Sequence, residues 1–151
     1  MRSTLVACAA LAVLHGNMAA QTVRDGQLFA LATFAEEKFF GAGLGYAVRP
    51  GGRVRLSIAA ALGRSTGRLA ARSEVLAGFH LDPTRQHGWA VYGGAGAALV
   101  LTERDTAEYL LLVLGVESRP GRVSGWFAEV GLGGGVRVAA GLRLRQGMRR
   151  P

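Results

Sequence analysis

The charged residues of this chain that are best placed to act together are two glutamates and six arginines. They are Glu74, Glu129, Arg53, Arg55, Arg68, Arg72, Arg137 and Arg143. They recur at alternate positions, on the side of each segment that otherwise carries mostly small residues, opposite an apolar side. If this side faces a closed interior, each carboxylate needs a guanidinium partner, because an isolated charge is costly to bury. The spacing therefore predicts a buried network of Glu–Arg pairs. The alternative is that these charges face solvent.

Residues that could perform acyl transfer are present but scattered. His80, Ser73, Ser124 and Glu129 have the required functional groups. That chemistry needs a nucleophile, a base and an orienting acid within hydrogen-bond reach of one another, and nothing in their spacing provides it. The sequence therefore predicts no catalytic residues, and we interpret the chain as a protein that is not an enzyme.

Metal and cofactor motifs are also incomplete. His80 and His87 are seven residues apart with Asp82 between them, and no second cluster of ligands completes a coordination shell. The glycine runs at 93–96 and 131–135 resemble phosphate-binding loops, but neither opens a helix that carries the required Lys or acidic residue. We predict neither a metal site nor a cofactor.

A repeat of two residues divides the chain into eight strand-like segments. From Val136 to Leu144 every second residue is apolar, and charged or small residues lie between them, which is the pattern of a strand with two unlike faces. Residues 27–35 and 107–118 fit a helix or a strand equally well by period, and we interpret both as strands. The other predicted strands are 39–48, 53–62, 68–81, 88–101, 125–132 and 136–145.

Turn-forming residues connect these segments and leave no room for helices between them. Arg49-Pro50-Gly51-Gly52 and the Asp82-Pro83 pair are examples. Regularly spaced strands with short connections predict an all-β fold, an eight-stranded antiparallel up-and-down β-barrel. Closure of the barrel removes the free edges that would otherwise pair with other chains. We assign the barrel domain to residues 21–146 and a basic tail to residues 147–151.

The first twenty residues have the composition of a secretory signal peptide. Arg2 supplies a positive start, Leu5 to Leu14 is apolar, and small residues precede Gln21, so cleavage is expected near Ala20. Two alternatives stay open: a buried N-terminal helix, and a lipid anchor on Cys8. Because Cys8 is the single cysteine, a chain without its signal peptide has no disulfide bonds.

The net charge is strongly positive, +8, and seventeen of the eighteen basic residues are arginines. Such a balance can indicate nucleic acid or an anionic membrane surface as a partner. The arginines recur singly, however, and no basic stretch is interleaved with aromatic residues as in single-strand binders. We therefore predict no nucleic-acid partner and assign several arginines to the barrel interior.

Three observations favour a membrane barrel over a soluble one. The apolar side persists for about ten residues in strand after strand, which is enough to cross a bilayer. The opposite side mixes small residues with a few charges, as a narrow polar interior requires. Aromatic residues lie near predicted strand ends, as in an interfacial girdle. They are Phe39, Phe40, Phe79, Trp89, Tyr109 and Trp126.

The chain resembles the small eight-stranded outer-membrane β-barrel proteins of bacteria. The resemblance lies in patterns such as Gly41-Ala42-Gly43-Leu44-Gly45-Tyr46 and Phe127-Ala128-Glu129-Val130-Gly131-Leu132-Gly133. It implies a monomer in the outer membrane, with membrane lipid and the outer-membrane insertion machinery as partners.

We therefore expect an outer-membrane barrel with a plugged lumen and a structural or envelope-interaction role. The alternative is a soluble periplasmic or secreted barrel that binds a small apolar ligand. The residues do not indicate which ligand or envelope partner either protein would bind.

Overall fold

A computed structural model describes residues 22–50, 52–103 and 105–145. The predicted signal peptide and basic tail lie outside these residues. The described part contains eight strands: β1 (Val23–Phe34), β2 (Phe39–Arg49), β3 (Val54–Ser65), β4 (Arg68–His80), β5 (Trp89–Thr102), β6 (Thr106–Ser118), β7 (Ser124–Leu132) and β8 (Val136–Arg145). The described residues include no helix that could span a membrane.

The strands form a closed antiparallel barrel in chain order. Each strand pairs with the next, and β1 pairs with β8 through contacts such as Leu28 with Leu142. The β3–β4 connection is a two-residue turn in which Thr66 and Gly67 both have positive φ, 48° and 82°. That backbone matches the right-handed twist of the two strands it joins. The predicted fold class, including closure without free edges, is confirmed.

The two segments with ambiguous periodicity are both strands, β1 and β6. β1 begins four residues earlier than expected, because Val23 to Gly26 pair with the last residues of β2. β3 likewise continues to Ser65, three residues beyond the predicted end, in register with Arg68. Sequence alone missed these extensions because the strand ends carry polar residues, which are also typical of turns.

The barrel has two ends that differ in the length of their connections. The β1–β2, β3–β4, β5–β6 and β7–β8 turns lie at one end, which we call the turn end. The β2–β3, β4–β5 and β6–β7 connections lie at the other, together with the start of β1 and the end of β8; we call it the loop end.

The outer surface is apolar and the interior contains the buried charges. Leu44, Leu62, Leu110, Val130 and Leu142 are each more than half exposed on the outside. The interior holds buried charged side chains and an apolar group (Phe29, Leu31, Phe39, Ala61, Ala70, Phe127 and Ala139). This distribution is the reverse of that in a soluble barrel.

The predicted aromatic girdle needs a correction at two positions. Phe40, Phe79, Trp89 and Trp126 lie outside and are exposed, as expected. Phe39 is buried in the core, and Tyr109 lies on the inward-facing side of β6. The reason is strand parity: Phe39 is adjacent to the outward Phe40, so the two must face opposite sides of the sheet.

Candidate functional site

The first group of interior charges, the turn-side cluster, consists of Arg72, Glu74, Glu129 and Arg137. Arg137 donates to both Glu74 oxygens, from Nη2 at 2.7 Å and from Nε at 2.9 Å, and its Nη1 lies 2.8 Å from Glu129 Oε2. Arg72 Nε donates to Glu74 Oε1 at 2.8 Å. Two carboxylates and two guanidiniums thus neutralise one another. Buried charges need such pairing, because an unpaired charge is costly to remove from water.

Barrel closure brings these four residues together, because β4 lies across the lumen from the β7–β8 hairpin. Arg72 and Glu74 are alternate residues of β4, and Glu129 and Arg137 belong to the β7–β8 hairpin. Arg72 Nη2 also donates to the Gly133 carbonyl of the turn in that hairpin, at 3.0 Å. The cluster therefore connects one wall of the barrel to the opposite wall.

Tyr92 connects this cluster to a second group of charges. Its hydroxyl donates to Glu129 Oε1 at 2.6 Å, and its ring stacks on His80 with centroids 4.6 Å apart. The guanidinium of Arg55 lies 5.5 Å from the ring centroid, a cation–π distance. A Cβ at Gly115 would lie 2.5 Å from the Tyr92 ring, so the ring fits only because β6 has glycine there.

The second group, the loop-side cluster, consists of Asp25, Arg49, Arg55, Glu117, Arg143 and Arg145. Glu117 is fully buried and contacts three arginines, Arg49 at 3.0 Å, Arg55 at 3.1 Å and Arg143 at 2.5 Å. Asp25, also fully buried, pairs with Arg49, Arg143 and Arg145. Four guanidiniums thus share two carboxylates, which leaves two positive charges in excess.

Backbone carbonyls of the loops accept hydrogen bonds from this surplus of donors. Arg143 donates to the Arg119 and Arg122 carbonyls at 3.1–3.2 Å, and Arg145 donates to the Pro120 carbonyl at 2.5 Å. Arg49 reaches the Pro83 carbonyl of the β4–β5 loop at 3.4 Å. These bonds hold the two longer loops over the loop end of the lumen.

A small lumenal cavity of about 20 Å³ lies beside the turn-side cluster, bordered by Gln27, Ser57, Glu74 and Glu129 among others. That volume suits a single water molecule. Gln27 is one of its lining residues, and Gln27 Nε2 is buried without a hydrogen-bond partner among the described residues.

The structure places six of the eight residues of the predicted network in the two clusters and the other two at the surface. Glu74, Glu129, Arg72 and Arg137 form the turn-side cluster, while Arg55 and Arg143 belong to the loop-side cluster. Arg53 and Arg68 differ from the expectation, because both are exposed. Arg53 precedes β3 and lies over the outward Phe79 ring at 5.9 Å, and Arg68 is the first residue of β4, at the rim.

The predicted network lacks both acids of the loop-side cluster and two of its arginines, Arg49 and Arg145. Asp25 precedes the predicted strand at 27–35, Arg49 belongs to a predicted turn, and Glu117 lies near the end of the predicted strand at 107–118. Strand parity could have identified the inward position of Asp25. Asp25 has the same parity as Gln27 and Phe29, so extending β1 by two residues places its carboxylate inside.

The scattered catalytic and metal candidates stay apart in the fold. His80 is fully buried in the lumen, whereas Ser73 is exposed on the outer face of the same strand and Ser124 is exposed at the start of β7. His87 is exposed in the β4–β5 loop, 3.4 Å from Arg122. Within the described ranges, no group of three His, Cys, Asp or Glu side chains could hold a metal ion.

We expect Glu129→Gln to lower the unfolding temperature, because the neutral amide loses its ion pair with Arg137 and presents only one oxygen to Arg137 and Tyr92. A buried donor left unsatisfied costs about 1–3 kcal/mol. Thermal unfolding followed by circular dichroism measures the effect. Glu103→Gln, at an exposed position beyond β5, is the control and should change little. Equal shifts for the two variants would contradict a buried role for Glu129.

Comparison with known proteins gives structural neighbours but no sequence relatives. No family model matches the chain, and no curated protein sequence matches it. The N-terminal β-barrel domain of Pseudomonas aeruginosa OprF superposes with a TM-score of 0.62 at 15% identity, covering 84% of this chain and 98% of that one. The outer membrane protein OprG from Pseudomonas aeruginosa superposes with a TM-score of 0.58 at 9% identity, covering 84% and 96%. The chain therefore has the fold of small outer-membrane β-barrels.

Proposed function

We propose that this protein is a monomeric bacterial outer-membrane barrel with a closed lumen, and that its role is structural or an interaction within the envelope rather than catalysis. The observation that carries the proposal is the reversed polarity of the barrel. Large apolar side chains cover the outside, and ten charged side chains of the two clusters lie inside. In water such an exterior would aggregate; in a bilayer it contacts hydrocarbon.

The strand lengths support the membrane setting. A tilted strand of about 9–11 residues crosses a bilayer, and the eight strands contain 9 to 14 residues each. Closure of the barrel also gives every strand a hydrogen-bonded neighbour on each side, which reduces the number of backbone donors and acceptors left without a partner. Hydrocarbon tolerates β-structure only in that closed form.

The packing of the lumen supports closure. Eight strands enclose little more than the volume of their own side chains. Here the two ion-pair clusters and the apolar group occupy the interior, and the β4–β5 and β6–β7 loops are hydrogen-bonded over one end. The same packing disfavours the alternative of a soluble barrel with an apolar ligand inside, because a cavity of about 20 Å³ lined by Glu74, Glu129 and Arg137 suits water and not an apolar molecule.

Spin labels test the polarity directly. Single cysteines replace Leu142 and Val138 on the outer face, and reference labels replace Thr66 in a turn and Gln86 in a loop, in protein reconstituted into vesicles. We expect the first pair to be relaxed by oxygen dissolved in lipid and the second by an aqueous nickel chelate. The same vesicles, loaded with an ion-sensitive dye, should leak no faster than empty ones. Labels at Leu142 and Val138 that respond to the chelate would refute the membrane setting, and fast leakage would refute the closed lumen.

A further inference from the structure

The exposed charges of the barrel are divided unequally between its two ends. At the loop end, five arginines and one aspartate are exposed: Arg24, Arg53, Arg85, Arg119, Arg122 and Asp82. At the turn end, three basic and five acidic residues are exposed: Lys38, Arg64, Arg68, Glu36, Glu37, Glu103, Asp105 and Glu108. One rim is therefore strongly basic and the other mildly acidic among the described residues. We call the five exposed arginines of the loop end the arginine collar.

The interior increases this asymmetry. The turn-side cluster is neutral, whereas the loop-side cluster has four arginines against Asp25 and Glu117 and so contributes two further positive charges at the loop end. Buried charges are screened little by salt, so their field adds to that of the collar.

Aromatic side chains fix the depth of the collar. Trp89 and Trp126, the only two tryptophans of the chain, are both exposed on the outer face at the loop end. Tryptophan prefers the level of lipid headgroups. Arg85 donates to the Trp89 carbonyl at 3.2 Å, and Arg53 lies over the ring of Phe79. These contacts hold guanidiniums beside the interfacial aromatics, at the level where phosphates lie.

We propose that the loop end docks on a layer of anionic phospholipid headgroups, whose phosphates bind the arginine collar. A guanidinium donates two parallel hydrogen bonds to a phosphate, which makes arginine the suitable residue. The collar is spread around the barrel, on β1, before β3, and in the β4–β5 and β6–β7 loops. That spread fits many singly charged headgroups and not one ligand with several phosphates, which would need the arginines gathered at a single place. The proposal rests on the membrane setting proposed above.

Two variants with equal loss of charge test it. R53Q/R85Q/R122Q removes three collar charges, and K38Q/R64Q/R68Q removes three from the turn end. Each protein is inserted into vesicles of equal phosphatidylglycerol and phosphatidylcholine and extracted in mild detergent, and native mass spectrometry counts the lipids that stay bound. A basic residue near an anionic surface contributes roughly five-fold in affinity. We expect the unchanged protein and the turn-end variant to retain phosphatidylglycerol over phosphatidylcholine at least five-fold, and the collar variant to lose most of that preference.

Three results would overturn the proposal that the arginine collar binds phospholipid. They are no preference for phosphatidylglycerol in the unchanged protein, an equal loss of that preference in both variants, or retention of lipid A over phosphatidylglycerol when the two are mixed. Insertion is followed in the same samples by heat-modifiable migration on gels. If the protein inserts but shows no lipid preference, only the proposed role of the arginine collar is refuted. If the protein enters no vesicle, both that role and the proposed membrane setting are refuted.

Discussion

Glu117→Gln should cause the largest loss of stability of any single change considered for this protein. The carboxylate of Glu117 is fully buried and contacts Arg49, Arg55 and Arg143 at 2.5–3.1 Å. Without its charge, Asp25 alone faces four guanidiniums. Removing one partner of a buried ion pair costs about 3–5 kcal/mol, because the other charge is left without compensation. Urea unfolding of the protein in lipid vesicles, followed by tryptophan fluorescence, measures the change.

A control on the same strand separates this effect from a general effect of the substitution. Glu108 is exposed near the other end of β6, so Glu108→Gln should stay within about 0.5 kcal/mol of the unchanged protein. Adding Arg55→Gln to Glu117→Gln removes one uncompensated cation, and the double variant should recover part of the loss. If Glu117→Gln and Glu108→Gln unfold at the same urea concentration, the loop-side cluster does not stabilise the barrel.

Leu44→Arg should cause the second largest loss, and only in a bilayer. Leu44 is 67% exposed on the outer face, at the middle of β2 between Leu28 and Ala60. An arginine that faces lipid costs about 2–4 kcal/mol at the bilayer midplane and about 0–1 kcal/mol near the interface. Val54, the first residue of β3, lies at the loop end, so Val54→Arg is the matched control for depth.

The comparison of these two arginine variants decides between the membrane barrel and a soluble one. In vesicles, urea unfolding should show Leu44→Arg less stable than Val54→Arg by about 1–4 kcal/mol. In a soluble barrel both side chains would face water and both variants would be nearly neutral. Equal stabilities in vesicles would therefore count against lipid contact at Leu44.

The arrangement of the faces followed from the sequence because strand parity is a local property. Trp126 and Val130 had to lie on one side of β7 and Phe127 and Glu129 on the other, whatever the rest of the chain did. The same parity placed Arg137 and Arg143 on one face of β8. Parity also predicts that Phe39 points inward. Its place near a strand end had instead suggested the aromatic girdle.

The partners of the charges did not follow from the sequence. Glu117 meets Arg49, 68 residues away, only because closure brings β6 opposite β2 across a narrow lumen. Arg53 and Arg68 have the parity of interior residues but lie at the rims, where water reaches them. Parity tells which way a side chain points and gives no information about how far along the barrel axis it lies or what stands across from it.

By itself, the sequence determined the number of strands, their alternation and the division into one apolar and one polar face, because each depends only on residues a few positions apart. The tertiary structure decided which face is enclosed, which carboxylate pairs with which guanidinium, and how the loops cover one end. Those features depend on barrel closure and register, which join residues more than a hundred positions apart, such as Asp25 and Arg143.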